Sequence, residues 1–251
     1  MSKIPKSHPR YESLITREKI SKGLKEGLVH ETGLIAHGRG EAFDYLIGEK
    51  TIPVSDEAAK VAAAWFLLAK NPVISINGNV AALSAKECIE LANTIPAKIE
   101  INLFHRTKNR VKKIAERLYK LGAKEIYGLK PNAVIPYLEH DRALCDRDGI
   151  YSADVILVPL EDGDRCEALK KMGKIVLTID LNPLSRTAKA ADVTIVDNIT
   201  RALPNIKKWV VEFKRKDIDE NKLQNMVNSW DNKRNLKEVL SYISKRIKSL
   251  F

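Results

Sequence analysis

The sequence predicts an α/β protein built on a doubly wound, mostly parallel sheet, with helical additions before and after it. Three observations predict this architecture. Six short apolar, β-branched runs occur between residues 73 and 197, and most of them are separated by helical patterns. The runs are almost continuously apolar, which is typical of parallel strands covered on both faces. The flanking regions have helical periodicity and no strand character.

The first segment, 1–70, is expected to be helical. Its early part places leucine and isoleucine among lysine and glutamate, the pattern of a basic amphipathic helix that ends near Gly27 or Gly33. A second stretch follows this helix, and its apolar residues also lie on one possible helical face. Residues 51–70 then predict a buried helix, for which Ser55 is a suitable N-cap.

The middle segment, 71–198, is expected to form the parallel sheet. The predicted strands are VISI (73–76), IEINLF (99–104), EIYG (125–128), VILVPL (155–160), IVLTID (175–180) and VTIVD (193–197). Helical patterns alternate with these runs, as parallel strands require crossover connections. The order of the strands in the sheet does not follow from the sequence.

The last segment, 199–251, is expected to be helical again. Its final part carries Leu236, Val239, Ile243 and Ile247 at helical spacing, so one face can pack on the core or on a partner subunit. Repeats and low-complexity stretches are absent. The chain is therefore predicted to be a single α/β domain over residues 1–251.

The composition favours a soluble protein with anionic partners. The chain is 44% hydrophobic and 30% charged, and 43 basic residues against 32 acidic ones give a formal charge of +11. This excess fits nucleic acid, acidic lipid or phosphate-bearing molecules, and it equally fits a basic surface without a special partner. Three scattered cysteines, no apolar signal segment and no apolar run of ~18 residues predict a cytoplasmic location without a membrane span.

Polar residues follow the predicted strands at the edge where open parallel sheets bind ligands. The groups there are Asn77, Gly78 and Asn79; His105, Arg106, Lys108 and Arg110; Asp180, Leu181, Asn182, Arg186 and Thr187; and Asn198. Any one of these loops reads most simply as a turn. Taken together, their amide, hydroxyl and cationic groups can bind an anion or a base.

Several familiar motifs are absent. The sequence has no GxGxxG after a strand and no GxxxxGK[ST], which argues against an ordinary dinucleotide dehydrogenase and a P-loop kinase. It also lacks HExxH, paired Cys/His ligands and GxSxG, which argues against a structural zinc site and a serine hydrolase.

A resemblance to a known family extends over nearly the whole chain. The matching segments are HPRYESLITREK (8–19), GLVHETGLIAHGRGEAFDYLIGE (27–49), NGNVAAL (77–83), NLFHRT (102–107) and IDLNPLSRTA with VDN (179–188, 196–198). They resemble the archaeal 4-phosphopantoate–β-alanine ligases, also called phosphopantothenate synthetases. The segment HETGLIAHGRGEAFDYLIGE is the most specific of these.

The resemblance implies a Rossmann-like fold with helical additions, a homodimer, and an enzyme of coenzyme A biosynthesis. Such an enzyme uses ATP to condense 4-phosphopantoate with β-alanine, and it releases 4′-phosphopantothenate, AMP and diphosphate. The implied ATP-binding residues are Arg17, Arg39, Asp180, Leu181, Asn182, Arg186, Thr187, Asn198 and Ile199. Arginine suits this task because its planar fork can pair with two phosphate oxygens.

From the residues alone, simpler interpretations remain for some of these positions. Arg17 and Arg39 also read as surface arginines, and Asp180 as the end of a strand. Gly38 and Gly40 would allow a phosphate to approach the backbone, or they could break a helix.

Roles in substrate binding and catalysis are predicted for two loops. We expect Asn77, Gly78, Asn79 and Lys108 to bind phosphopantoate, and His105 and Arg106 to take part in catalysis. His105 could accept a proton from the amine because its ordinary pKa is near neutral. It could also be a hydrogen-bonding spacer, and His30 and His37 are rival bases, so the catalytic base stays open.

ATP implies Mg²⁺, for which Glu161, Asp162 and Asp180 are candidates, with none of them assigned. Two other functions remain as alternatives. The charge of +11 fits a nucleic-acid-binding module, although aromatic residues are only 6% of the chain and no stacking motif is present. A non-catalytic regulator that senses ATP is the other. With the ligase favoured, no membrane or nucleic-acid partner is expected.

Overall fold

The fold is that of a computed structural model, which describes residues 4–250. The helices are α1 (Tyr11–Lys25), α2 (Glu31–Ile47), α3 (Pro53–Leu68), α4 (Gly78–Thr94), α5 (Lys108–Lys120), α6 (Gly163–Lys171), α7 (Arg186–Ala190), α8 (Ile199–Arg215), α9 (Glu220–Asn228) and α10 (Asn232–Lys248). The strands are β1 (Val73–Ile76), β2 (Lys98–Ile101), β3 (Ala133–Val134), β4 (Leu144–Cys145), β5 (Val155–Leu157), β6 (Ile175–Ile179) and β7 (Val193–Ile195).

Five strands form one parallel sheet, in the order β2-β1-β5-β6-β7. The chain moves outward from β1 to β2 and then returns to the other side of β1 with β5. This reversal is a topological switch point, where open α/β sheets bind ligands beyond the carboxyl ends of the strands. The predicted α/β class and parallel sheet are confirmed.

Successive residues of each strand enter two different hydrophobic cores, because side chains alternate across a sheet. On β5, Val155 and Leu157 join the larger core, beneath α3, α4, α5 and α8. Ile156, between them, joins a smaller core on the opposite face with residues of α6. The sheet is therefore covered on both faces, which explains why its strands are apolar without alternation.

One predicted strand, at residues 125–128, is wrong. Only Tyr127 pairs with the sheet there, through a parallel bridge to Glu100 of β2. Gly128 has a left-handed φ of 82° and turns the chain away from the sheet edge after this single bridge. The hairpin of β3 and β4 was not predicted, since strands of two residues carry no periodicity.

The flanking segments are helical, as predicted, with two local differences. The HGRG motif at residues 37–40 lies inside α2, so it is neither a loop nor a break. Helix α3 begins at Pro53 with Ile52 as its N-cap. The predicted cap, Ser55, is buried and donates a hydrogen bond to the Val196 carbonyl at 2.6 Å. No helix within residues 4–250 is long and apolar enough to cross a membrane.

Candidate active site

A cleft of about 300 Å³ lies at the topological switch point. Its floor is formed by the residues that follow β1, β2 and β5, and one wall is the first half of α2. Its lining is His30, Thr32, Gly33, Ala36, Arg39, Asn77, Gly78, Asn79, Leu103, Phe104, His105, Arg110, Arg142, Leu160 and Asp162. The cleft therefore brings together five of the predicted site residues, which are Arg39, Asn77, Gly78, Asn79 and His105.

Asn77 joins the ends of β1 and β5 across the floor. Its Nδ2 atom donates to the carbonyls of Pro159 at 3.1 Å and Leu160 at 3.0 Å. Its Oδ1 atom caps α4 by accepting from the Val80 N–H at 3.0 Å. The side chain is thus occupied within the protein. The first two N–H groups of α4, at Gly78 and Asn79, have no partner within residues 4–250 and are available to an anion.

Asn79 fixes α2 against the floor. Its Nδ2 atom donates to the Gly33 carbonyl at 2.9 Å. A Cβ atom at position 33 would lie 2.4 Å from Asn79 Oδ1, so only glycine allows this close approach. The hydrogen bond from Asn79 and the missing side chain at Gly33 therefore hold α2 close to the floor of the cleft at this point.

Two histidines stack face to face in the cleft. The ring centroids of His30 and His105 are 3.7 Å apart, and the rings are inclined by 24°. His30 also caps α2. Burial lowers the pKa of His105, and the neighbouring His30 and Arg110 act in the same direction. A lowered pKa favours the neutral imidazole, which is the form that accepts a proton.

The cationic side chains of the cleft fall into two kinds. Arg39 and Arg110 have no carboxylate within ion-pair distance among residues 4–250. Arg110 instead donates to the carbonyls of Leu28, at 2.9 Å, and His105. Arg142 is paired with two carboxylates, with Nη1 lying 2.9 Å from Asp162 Oδ2 and Nη2 lying 2.7 Å from Glu161 Oε1.

Asp180, Leu181 and Asn182 lie beside the cleft, beyond β6, and outside its lining. The Asp180 carboxylate accepts from the Asn182 N–H at 2.9 Å and from the Ser185 hydroxyl at 2.5 Å. Burial raises its pKa, and the charge of Arg39 opposes that shift. A Cβ atom at Gly40 would lie 3.6 Å from Leu181, so α2 passes over this loop as well.

Asn198 lies beyond β7, where α2 crosses the sheet edge for the last time. Its Nδ2 atom donates to Asp44 of α2 at 3.2 Å, and its Oδ1 atom caps α8. Ile199, the first residue of α8, is buried. Arg201 bridges Asp44 at 2.5 Å and Asp197 at 2.8 Å. This network fixes the end of α2 to β7 and α8.

The other predicted residues lie farther from the cleft. Arg17, on α1, pairs with Glu41 and Tyr45 of α2. Arg106 donates to the Gly128 carbonyl at 2.6 Å, and Lys108 is exposed at the start of α5. Arg186 is exposed and pairs with Glu167 at 3.0 Å. Thr187 is buried, and its hydroxyl donates to the Glu161 carbonyl at 2.8 Å.

Arg142 is the main cleft residue that the sequence did not reveal. It lies in a short 3₁₀ turn at residues 141–143, between β3 and β4, and follows no strand of the main sheet. Asn102 holds this turn in place by donating to the carbonyls of Arg142 at 3.1 Å and Leu144 at 3.0 Å. Only these long-range contacts bring the arginine to the cleft.

The carboxylates considered for Mg²⁺ are largely occupied by protein groups. Glu161 lies between Arg142 and Arg165, and both oxygens of Asp180 accept hydrogen bonds. Within residues 4–250 no group of three or more His, Cys, Asp or Glu side chains is placed to hold a metal ion. The donor set thus does not fit a site built by the protein alone.

Comparison with known proteins identifies the family. A profile described as phosphopantothenate/pantothenate synthetase matches residues 54–246. The chain belongs to this family. Proteins of Thermococcus onnurineus and Thermococcus kodakarensis, both named 4-phosphopantoate–β-alanine ligase, are 56% identical to it over 251 residues. Each alignment covers 100% of this chain and 95% of the relative. A Methanosarcina mazei protein of the same name is 53% identical over 250 residues, covering 100% of this chain and 98% of the relative.

Proposed function

We propose that this protein is a 4-phosphopantoate–β-alanine ligase that forms 4′-phosphopantothenate, AMP and diphosphate. The identity of 56% over the whole chain to proteins of that name carries the proposal. The cleft supports it, since Arg39, Arg110 and the free N–H groups of α4 are suited to a substrate that bears a phosphate and a carboxylate.

The chemistry proceeds in two steps. A carboxylate oxygen of phosphopantoate attacks the α-phosphorus of ATP, and the bond to diphosphate breaks, which leaves an acyl-adenylate. The amine of β-alanine then attacks the acyl carbon, AMP departs, and the amine proton passes to a base. We assign that base to His105, which lines the cleft and whose lowered pKa favours the neutral imidazole. His30 positions the ring by stacking on it.

Negative charge on the transferred phosphate needs preorganised cations. We propose that Arg39 supplies one, because it lines the cleft and also acts electrostatically on Asp180. ATP would then lie over the loops beyond β6 and β7, near Asp180, Leu181, Asn182, Asn198 and Ile199. Arg17, Arg186 and Thr187 are predicted to lie at the edge of that region. Phosphopantoate would take the floor at Asn77, Gly78 and Asn79, with Lys108 at its margin.

Arg106 is better placed to support the floor than to touch substrate, because its guanidinium is bonded to Gly128. Mg²⁺ would enter with the ATP phosphates, since in sites of this type it is held by substrate phosphates, water and only one or two carboxylates. We also propose a homodimer, which sedimentation velocity of the purified protein would test by the measured mass.

The function is tested by measuring AMP and diphosphate while each substrate is omitted in turn. We expect AMP and diphosphate only when ATP, 4-phosphopantoate and β-alanine are all present. Release of ADP and phosphate would exclude adenylate chemistry, and ATP binding without turnover would indicate a regulator. Arg186→Ala is expected to raise the KM for ATP while the fold persists. Unchanged kinetics would remove Arg186 from the site.

A further inference from the structure

Asp162 is the one carboxylate lining the cleft within residues 4–250. Its Oδ2 atom accepts a hydrogen bond from Arg142 Nη1 at 2.9 Å. Its Oδ1 atom has no hydrogen-bond partner among the same residues, and the side chain is 45% exposed. Oδ1 is therefore free to accept a hydrogen bond from a ligand.

Arg142 is buried, with a side chain only 5% exposed, and it is held from several sides. Its Nε atom donates to Asn102 Oδ1 at 3.3 Å. Its Nη2 atom is buried and lies 2.7 Å from Glu161 Oε1, so this end of the guanidinium is turned away from ligands. Arg142 lines the cleft, and Nη1, which gives one N–H to Asp162, carries a second N–H that can donate to a ligand.

The charges around this pair sum to zero. Arg142 and Arg165 contact Glu161, and Arg142 also contacts Asp162, which gives two cations and two carboxylates. A phosphate dianion placed here would meet the Asp162 carboxylate as well as the guanidinium, and like charges in contact are unfavourable. Arg39 and Arg110 lack such carboxylates, so they form the more favourable end of the cleft for phosphate.

We propose that the Arg142–Asp162 pair is the β-alanine subsite, in which Asp162 binds the ammonium group and Arg142 binds the carboxylate. This inference rests on the proposed ligase function. β-Alanine carries one positive and one negative group joined by two methylene groups, and the pair presents the complementary charges side by side. A charged guanidinium N–H forms a strong hydrogen bond with a carboxylate.

The backbone before Asp162 holds the subsite in place. Leu160 adopts a left-handed φ of 52°, which bulky residues rarely do. Its N–H donates to the Ile179 carbonyl at 3.0 Å, and its carbonyl accepts from Asn77 at 3.0 Å. Two neighbouring strands thus fix the turn that delivers Asp162 to the same cleft as Arg39 and His105.

The decisive variant is Asp162→Asn, which keeps the side-chain shape and an oxygen that can accept from Arg142. Steady-state AMP release is measured while each substrate is varied. We expect the KM for β-alanine to rise about 10-fold to 100-fold, the range that corresponds to a lost hydrogen bond between charged groups. The KM values for ATP and phosphopantoate should stay at wild-type values.

A half-reaction separates this inference from the proposed function. Isotope exchange between diphosphate and ATP, with phosphopantoate present and β-alanine absent, reports adenylate formation alone. If the wild type shows neither exchange nor AMP release, the ligase function itself fails. If the wild type is active and Asp162→Asn loses exchange as strongly as overall turnover, the subsite assignment is overturned.

Asp164→Asn is the matched control, since Asp164 lies two residues farther on, outside the cleft lining, and pairs with His140 at 2.9 Å. We expect its β-alanine KM to be unchanged. Thermal unfolding verifies the fold of every variant.

Arg142→Gln tests the carboxylate end of the subsite. In the wild type, β-alanine should be used far better than 3-aminopropan-1-ol, an amine of similar length without the carboxylate. That preference should collapse in Arg142→Gln, and its full retention would contradict the role of Arg142. If Arg142→Gln does not fold, the conservative Asp162→Asn decides the proposal.

Discussion

The two halves of the carboxyl edge use their polar groups differently. Beyond β1 and β5, Arg39, Arg110 and the first N–H groups of α4 lack partners of opposite charge among residues 4–250. Beyond β6 and β7, the polar groups bind each other: Asp180 is bonded within its own loop, and Arg201 is enclosed by two carboxylates. The first half leaves several polar groups free, whereas the side chains of the second half secure the helix that forms the wall of the cleft.

A charged residue near a site can therefore serve one of two separable purposes. Where every polar atom of a buried charged residue is bonded inside the protein, substitution should act mainly on stability. Where the charge is uncompensated or where an oxygen is left free, as in Asp162, substitution should act mainly on catalysis, because only the ligand supplies the missing partner. Each of the following experiments tests that division.

The largest effect is expected from Arg201→Ala. It leaves the buried carboxylates of Asp44 and Asp197 without their shared cation, and breaking such a cluster costs about 3–5 kcal/mol of unfolding free energy. Urea denaturation measures this loss. Arg234→Ala, which removes an exposed arginine from an ion pair within α10, should leave the midpoint unchanged. Equal midpoints for both variants would contradict the role assigned to the network.

The second effect concerns Glu100, which supports the segment carrying Arg142. Its buried carboxylate accepts hydrogen bonds from the backbone N–H groups of Asp146 at 2.9 Å and Ile150 at 2.6 Å. Burial raises the pKa of Glu100 from 4.5 to about 7. The folded state therefore holds the proton more tightly than the unfolded chain does. Its contribution to stability is present below pH 4.5 and is lost as the pH rises to about 7.

The expected size of that loss is about 3 kcal/mol, from a shift of about 2.5 pKa units. Chemical denaturation at several pH values measures it, with Glu100→Gln as the comparison because glutamine does not titrate. The free energy of unfolding of the wild type should fall relative to that of the variant across this range. Parallel curves would show that Glu100 does not titrate there.

A third, smaller effect is expected from Arg39→Ala. This arginine lines the cleft and forms no ion pair within residues 4–250. We expect kcat/KM to fall about 30-fold, equivalent to about 2 kcal/mol for a lost charge-assisted contact, with the melting temperature unchanged. A stability loss with normal kinetics would place Arg39 with the compensated group.

The smallest effect is expected from Gly38→Ala. A Cβ atom at this position meets no other atom within 4 Å, and glycine inside a helix costs about 1 kcal/mol relative to alanine. The variant should be more stable by about that amount in thermal unfolding. If it is also fully active, no ligand needs the open backbone at residue 38. If activity falls while stability rises, the glycine serves ligand binding.

The parallel sheet could be predicted from the sequence because continuous apolar, β-branched runs between helical patterns are typical of strands buried on both faces. The prediction failed at residues 125–128, where Gly128 adopts a left-handed φ and turns the chain away from the sheet edge after one bridge. Part of the cleft was also foreseeable, since the carboxyl ends of parallel strands meet at one edge. Arg142 was not, because contacts with Asn102 and Glu161, distant in sequence, place it there.

Helix α2 touches the sheet edge near Asn79, Leu181 and Asn198 in turn, and its 17 residues span about 25 Å. We propose that phosphopantoate binds near the first of these contacts and ATP near the other two. Because α2 is one unbroken helix, a displacement at its first contact would then be transmitted to the others. Under that proposal the two substrate sites share one wall, and a change in the width of one alters the other.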